Sequence, residues 1–324
     1  MTKQPEKLTI VADPGTGYRD GQVFFANDSR FLETFYSEPL TTYTVGWRDP
    51  NDIEGTLDFV APPVQVGRRF EWKAANNAEE FLSETFDDTR AIGADFKKVE
   101  YTASDVTDKT LNKGLTVIRD LDNVAGPNWE SDTTGKLLRR LLRNELRRGV
   151  TALAAAATNT AKTWDASAGK DPDQDVISDL VTGATATGIR PNRVLYGDTA
   201  WTKRGLSHRA QNSAGGYASA ALTPEALASL LAVDMVKVSR ERYQSTASAK
   251  AEIVNNLVLM YYAQDGVDTE DASHTKRFWT PCQGGEKFRV YRQQISSKLV
   301  AITVEHYSKI VVTFTSGIRK FTVS

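Results

Sequence analysis

Between Thr133 and Trp164 the sequence carries one helical pattern that outruns the core of a compact domain. Leu138, Leu142, Leu146, Gly149 and Leu153 recur at helical spacing and form a broad apolar stripe. Lys136, Arg140, Arg143 and Arg147 recur at the same spacing on the opposite face. Asp132, Thr133 and Thr134 supply start signals, because a short oxygen side chain takes up the free amides of a first turn. Ala154 to Ala157 add helix propensity and little width. As a helix throughout, the element measures roughly 45 Å at ~1.5 Å per residue. Its length predicts a strut on which other parts are hung.

Composition narrows the class without naming a function. At 324 residues the prior is about two domains with a sizeable core. Lys plus Arg total 40 against 41 Asp plus Glu, a net charge of −1, whereas a free nucleic-acid binder carries a basic excess. A single cysteine, Cys282, excludes a disulfide framework within the chain and fits an intracellular origin. Met1 to Lys7 is polar, unlike a signal peptide. The apolar runs near Leu153 and from Leu257 to Ala263 are too short to span a membrane, so no membrane is expected.

Residues 1–63 are punctuated by Pro5, Pro14, Pro39, Pro50, Pro62 and Pro63, and read as an extended arm that packs on another surface. Residues 64–124 read as β with long turns, a polar hairpin with little core of its own. After the strut comes a polar linker from Asp165 to Asp175. Residues 175–285 then read as an α/β unit: a helix from Val176, a strand Asn192–Gly197, a helix Asp198–Leu206 and a Gly/Ser-rich loop Ser213–Ser219. A helix from Thr223-Pro224-Glu225 and strands at Met235–Val238 and Ile253–Tyr262 complete it. The end of the chain alternates, with strands at Phe288–Tyr291, Leu299–Val304, Ile310–Phe314 and Phe321–Val323.

Motifs with chemistry are incomplete. Gly15-Thr16-Gly17 lacks the strand-then-helix context of a phosphate loop. Thr134-Gly135-Lys136 has Glu130 and Leu137 where a P-loop needs glycine and Ser or Thr. Asp171, Asp173 and Asp175 mimic a calcium loop, but Val176 and Thr182 replace its glycine and glutamate, so capping is the better reading. Asp87 and Asp88 beside Arg90 read as an ion pair, and the arginine stripe as a solvated or intersubunit ion-pair face in preference to a nucleic-acid face. His208, His274 and His306 lie in three separate segments, and nothing near Cys282 in sequence activates its thiol. No zinc spacing, Gly-x-Ser-x-Gly or Rossmann fingerprint is present. No catalytic, metal-binding or cofactor-binding residue is therefore assigned, and no cofactor or small-molecule substrate is expected.

The segment Pro191-Asn192-Arg193-Val194-Leu195-Tyr196-Gly197-Asp198-Thr199-Ala200-Trp201, followed by Leu222 to Asp234, resembles a tailed-bacteriophage major capsid protein. Glu286–Arg292, Val304–Ile310 and Gly317–Phe321 resemble that family's closing strands, and the order of elements fits along nearly the whole chain. Common family spellings put glycine where Ala232 stands. The resemblance implies the Hong Kong type capsid fold, of class α+β. Its parts would be an N-terminal arm (1–63), an extended loop (64–115) and a peripheral domain with the spine helix (116–174). An axial domain (175–285) follows, and the return strands (286–324) rejoin the peripheral domain, the last strand reaching the axial one.

The function so implied is structural. Copies would assemble as hexamers and pentamers into the icosahedral shell around a double-stranded DNA genome, contacted non-specifically, with scaffolding, portal or decoration proteins as further partners. The location would be the virion capsid, assembled in the bacterial host cytoplasm. A relative's habit of crosslinking a loop lysine brings in Lys97, Lys98, Lys109 and Lys113. Two alternatives stay open: the encapsulin-like shell of a cellular nanocompartment, and an enzyme whose site carries no recognised motif.

Overall fold

The strut is a helix, Trp129–Ala156, of 28 residues. At ~1.5 Å per residue it is about 42 Å long. All five stripe positions are buried, and Leu137, Leu141, Glu145 and Val150 widen the buried face. Lys136, Arg140 and Arg147 are exposed, as their spacing predicts. The helix stops eight residues short of Trp164, because Thr158–Lys162 pairs as a strand instead. β-branched Thr158 and Thr160 suit that pairing.

The computed structural model describes residues 35–74, 89–95, 104–124, 126–167, 169–266 and 272–324. Helices α1 (Glu38–Gly46) and α2 (Ile53–Val60) precede strands β1 (Pro63–Gln65), β2 (Arg69–Ala74), β3 (Ser104–Lys109) and β4 (Leu111–Asp120). The strut is α3, and β5 (Thr158–Lys162) follows it. Then come α4 (Pro172–Thr187), β6 (Arg193–Gly197), α5 (Asp198–Ala210), α6 (Ala214–Ala220) and α7 (Pro224–Leu231). Strands β7 (Met235–Ser239), β8 (Arg242–Gln244), β9 (Lys250–Glu252), β10 (Leu257–Tyr261), β11 (Thr275–Thr280), β12 (Arg289–Gln294), β13 (Leu299–Val312) and β14 (Arg319–Val323) complete the described chain. Among the described residues, no helix is long and apolar enough to cross a membrane.

Two five-stranded sheets organise this α+β fold. One runs β1-β11-β13-β12, with β4 on the other side of β13; the second runs β5-β14-β10-β6-β7. One apolar cluster joins them through the strut: Leu142 and Leu146 of α3 share it with Ile302 and Val304 of β13 and with Leu195 and Leu259 of the second sheet. A second cluster under α4, α5 and α7 holds Val176, Tyr196, Leu227 and Phe321. Gly149 lets α2 and β13 come close to the strut, since a Cβ there would meet Val60 Cγ1 at 3.3 Å and Ile310 Cδ1 at 3.4 Å.

Several expectations need correcting. The part of the arm from residue 38 to 60 is helical and packed rather than extended: Leu40, Ile53, Leu57 and Val60 lie in the main core. Its prolines mark helix boundaries, Pro39 in the first turn of α1 and Pro62 just past α2. Asp52 caps α2 by accepting from the Gly55 amide at 3.2 Å. Ser213–Ser219 holds a helix, capped by Ser213 Oγ accepting from Gly216 N at 3.0 Å. Gly216 packs on the end of α5, where a Cβ would lie 2.4 Å from His208 O. The separate strands expected at Leu299–Val304 and Ile310–Phe314 are one 14-residue strand. The intervening polar residues break the apolar pattern but find partners, as Tyr291 Oη donates to Glu305 at 2.7 Å and Ser308 Oγ to Glu145 at 2.8 Å. The sheets also cut across the expected boundaries: β11, read with the unit ending at 285, pairs with β13, and β5, read with the strut, pairs with β14.

Two outcomes follow. In urea denaturation of the purified protein, Leu146→Ala should cost about 2–5 kcal/mol by leaving a core cavity. Arg140→Ala, on the exposed face, should stay within ~0.5 kcal/mol, so equal effects would overturn the assignment of faces. Ala232 ends α7 in the left-handed conformation, at φ 51°. Ala232→Gly should therefore raise stability by about 1 kcal/mol in the same assay, since glycine alone enters that region without steric cost.

Candidate assembly surface

Residues that leave their own subunit's core are the candidates for contact with others. Among the described residues, β2 and β3 form an antiparallel ribbon paired only with each other. Its root is fastened: Thr110 N donates to Arg68 O at 3.1 Å, and the Thr110 and Thr280 hydroxyls meet at 2.8 Å. Thr280 in turn donates to Gly67 O at 3.1 Å. Phe70 packs on Phe278 with ring centroids 4.5 Å apart, and Lys309 reaches Asp108 at 2.6 Å. The hairpin expected to lack a core thus has a small one at its base, built from Val64, Phe70 and Phe278. Within the described residues β4 pairs with β13 alone, so its other edge carries unpaired backbone groups, and Leu111 and Ile118 on it are exposed. An open edge of that length is a template for another strand. At a separate turn Ile92 lies fully exposed.

Behind this surface the strut is locked to the sheet by an ionic joint. Glu145 is 1% exposed and sits among apolar neighbours on α3. Its carboxylate accepts from Lys113 Nζ of β4 at 2.8 Å, from Arg148 at 2.6 Å and from Ser308 Oγ of β13 at 2.8 Å. Burial alone would raise its pKa, but Lys113, His306 and Arg148 outweigh that and hold it down to about 2. His306 Nε2 stands 3.9 Å from the same carboxylate, and burial pushes that imidazole down to about 4. No motif marks Glu145. The available signal is position: it is the lone acid between Arg139 and Arg148 and falls in register with the apolar stripe.

The residues weighed for chemistry are dispersed. His208 Nε2 lies 3.1 Å from Asp173, which also takes a fork from Arg204 at 2.6 and 2.8 Å. His274 accepts the Tyr262 amide on Nδ1 at 2.7 Å, donates from Nε2 to Ser316 O at 2.7 Å and stacks on Phe314. Burial holds His274 below its ordinary pKa. Cys282 is buried, and burial together with Glu305 pushes its thiol up to about 12. Asp171 caps Gln174 N, Asp173 holds Arg204, and Asp175 takes Lys162 and Trp164, so these three face different partners. Among the described residues no group of three His, Cys, Asp or Glu is placed to hold a metal. Gly135 is buried within α3 against Trp47, not in a loop. Of the loop lysines, Lys113 is consumed by the joint and Lys109 is exposed. Lys97, Lys98, Asp87, Asp88 and Gly15 to Gly17 lie outside the described residues. The arginine stripe is partly paired within its own subunit, Arg143 to Glu241 at 2.9 Å.

No protein-family model and no curated protein matches the sequence. Solved structures match its fold. A phage-related protein from Bordetella bronchiseptica aligns over 88% of this chain and 96% of its own, at TM-score 0.63 and 17% identity. The capsid of cyanophage P-SCSP1u aligns over 100% of this chain and 99% of its own, at 0.50 and 10%. The virus-like particle from Pyrococcus furiosus aligns over 90% and 99%, at 0.50 and 10%. The chain has the tailed-phage capsid fold.

The joint has a pH signature. His306 titrates lower in the fold than its ordinary 6.5, so the unfolded chain takes up the proton first and stability falls as pH drops from 6.5 towards 4. His274 adds in the same direction. Glu145, also lowered, contributes stability that is present above its ordinary 4.5 and lost as pH falls from there towards 2. Calorimetry of the purified protein should show Tm falling across both windows. His306→Gln should flatten the upper one, and an unchanged slope there would remove His306 from the account.

Proposed function

We propose that this chain is a shell subunit, assembling with copies of itself as hexamers and pentamers into the icosahedral capsid of a tailed bacteriophage. The observation that carries the reading is the β4 edge, open among the described residues, beside the paired ribbon, on a fold that a cyanophage capsid chain shares along its length. The role is structural rather than catalytic; the scattered histidines and the suppressed thiol of Cys282 agree with that. The shell encloses double-stranded DNA, is built in the host cytoplasm and ends as the virion capsid, with scaffolding, portal or decoration proteins as further partners.

In the same reading the sheet around β13 is the centre of the peripheral domain, with α3 as its spine, and the sheet around β10 is the centre of the axial domain. β5 and β14 then belong to the axial domain and β11 to the peripheral one.

Electron microscopy of the purified product tests the proposal. Closed shells with nuclease-protected DNA are the expected result. Closed shells filled with protein would make it a nanocompartment, and small particles with turnover an enzyme. Replacing residues 75–103 by a short Gly-Ser turn should leave cooperative melting of the subunit intact and abolish shells. Normal shells from that variant would remove residues 75–103 from assembly.

A further inference from the structure

We infer that the outer face of α3 is a phosphate-contacting surface that meets the packaged duplex, an assignment resting on the shell reading above. The strut carries six basic residues between 136 and 148, and they divide into two groups. Arg139, Arg143 and Arg148 are each tied to a carboxylate, of Asp49 at 2.5 Å, Glu241 at 2.9 Å and Glu145 at 2.6 Å. Lys136, Arg140 and Arg147 are exposed and, among the described residues, meet no carboxylate within ion-pair distance. Arg147 lies over the Tyr243 ring, 3.8 Å from its centroid, which holds the guanidinium in place without neutralising it. Glu145, two residues before Arg147, is buried in the joint, and Asp132 is exposed one turn before Lys136. The flanking acids Asp49 and Glu241 are consumed by Arg139 and Arg143, so they do not cancel the row.

Three cations thus project from one rigid face over roughly 16 Å of helix, at ~1.5 Å per residue. Duplex DNA presents about one phosphate per 1.7 Å of its axis, so a straight cationic row meets phosphates at any register and on any sequence. With a net charge of −1 the free subunit binds weakly. Many copies facing one confined duplex raise the effective concentration, and weak contacts then suffice. The row faces the shell interior in this assignment.

The test is a salt titration of a labelled, mixed-sequence duplex with unassembled subunits, wild type against Lys136→Gln combined with Arg140→Gln, with electron microscopy of both proteins in parallel. Both side chains are exposed, so the variant should fold and form shells. Wild type should bind at low salt, with affinity falling steeply between about 50 and about 200 mM salt. The double variant should lower the slope of log affinity against log salt by about 1.8, two contacts at ~0.9 each. An unchanged slope, or no wild-type binding at low salt, overturns the assignment while leaving the shell reading in place. Loss of shells in the variant with unchanged duplex binding also overturns it, because the row would then face a neighbouring copy. Absence of shells from wild type overturns the shell reading itself.

Discussion

Burial of one face of a 28-residue helix is the interaction on which everything else hangs. The two sheets share one core: Ile302 and Val304 of β13 and Leu259 of β10 lie in the same cluster as the leucines of the strut. α2 fills the remaining gap, close enough that Gly149 carries no side chain where Val60 and Ile310 approach. A stripe this long costs little beyond the helix, since straight-chain leucine and alanine lose few rotamers there.

The joint at Glu145 sets the register of that packing. Apolar surfaces slide; a buried carboxylate held by Lys113, Arg148 and Ser308 does not, because a one-turn shift would leave an unpaired charge in the core. The ion cluster supplies specificity of position more than net stability.

How much of this was legible depends on where the partners sit. The stripe on α3, β6 and the Thr223 cap of α7 were readable, because their signals are local in sequence. Glu145 was not: Lys113 and Ser308 lie 32 and 163 positions away, and an acid among arginines reads as a surface pair until they arrive. β13 was read as two strands for the same reason, since Glu305 and Ser308 are acceptable inside only with Tyr291 and Glu145 beside them. The helices at 38–60 were hidden by reading proline as a breaker, although Pro39 occupies a first turn. The candidate surface was legible as a polar ribbon, whereas the free edge of β4 emerged only from the pairing.

The routing of the chain between the two sheets has a mechanical meaning. The path crosses from one to the other between β4 and β5, again between β10 and β11, and again between β13 and β14. A load that tries to pull the sheets apart is carried by those covalent crossings in parallel, not by the leucine seam alone. Under tension such a chain behaves as a sewn joint rather than a glued one.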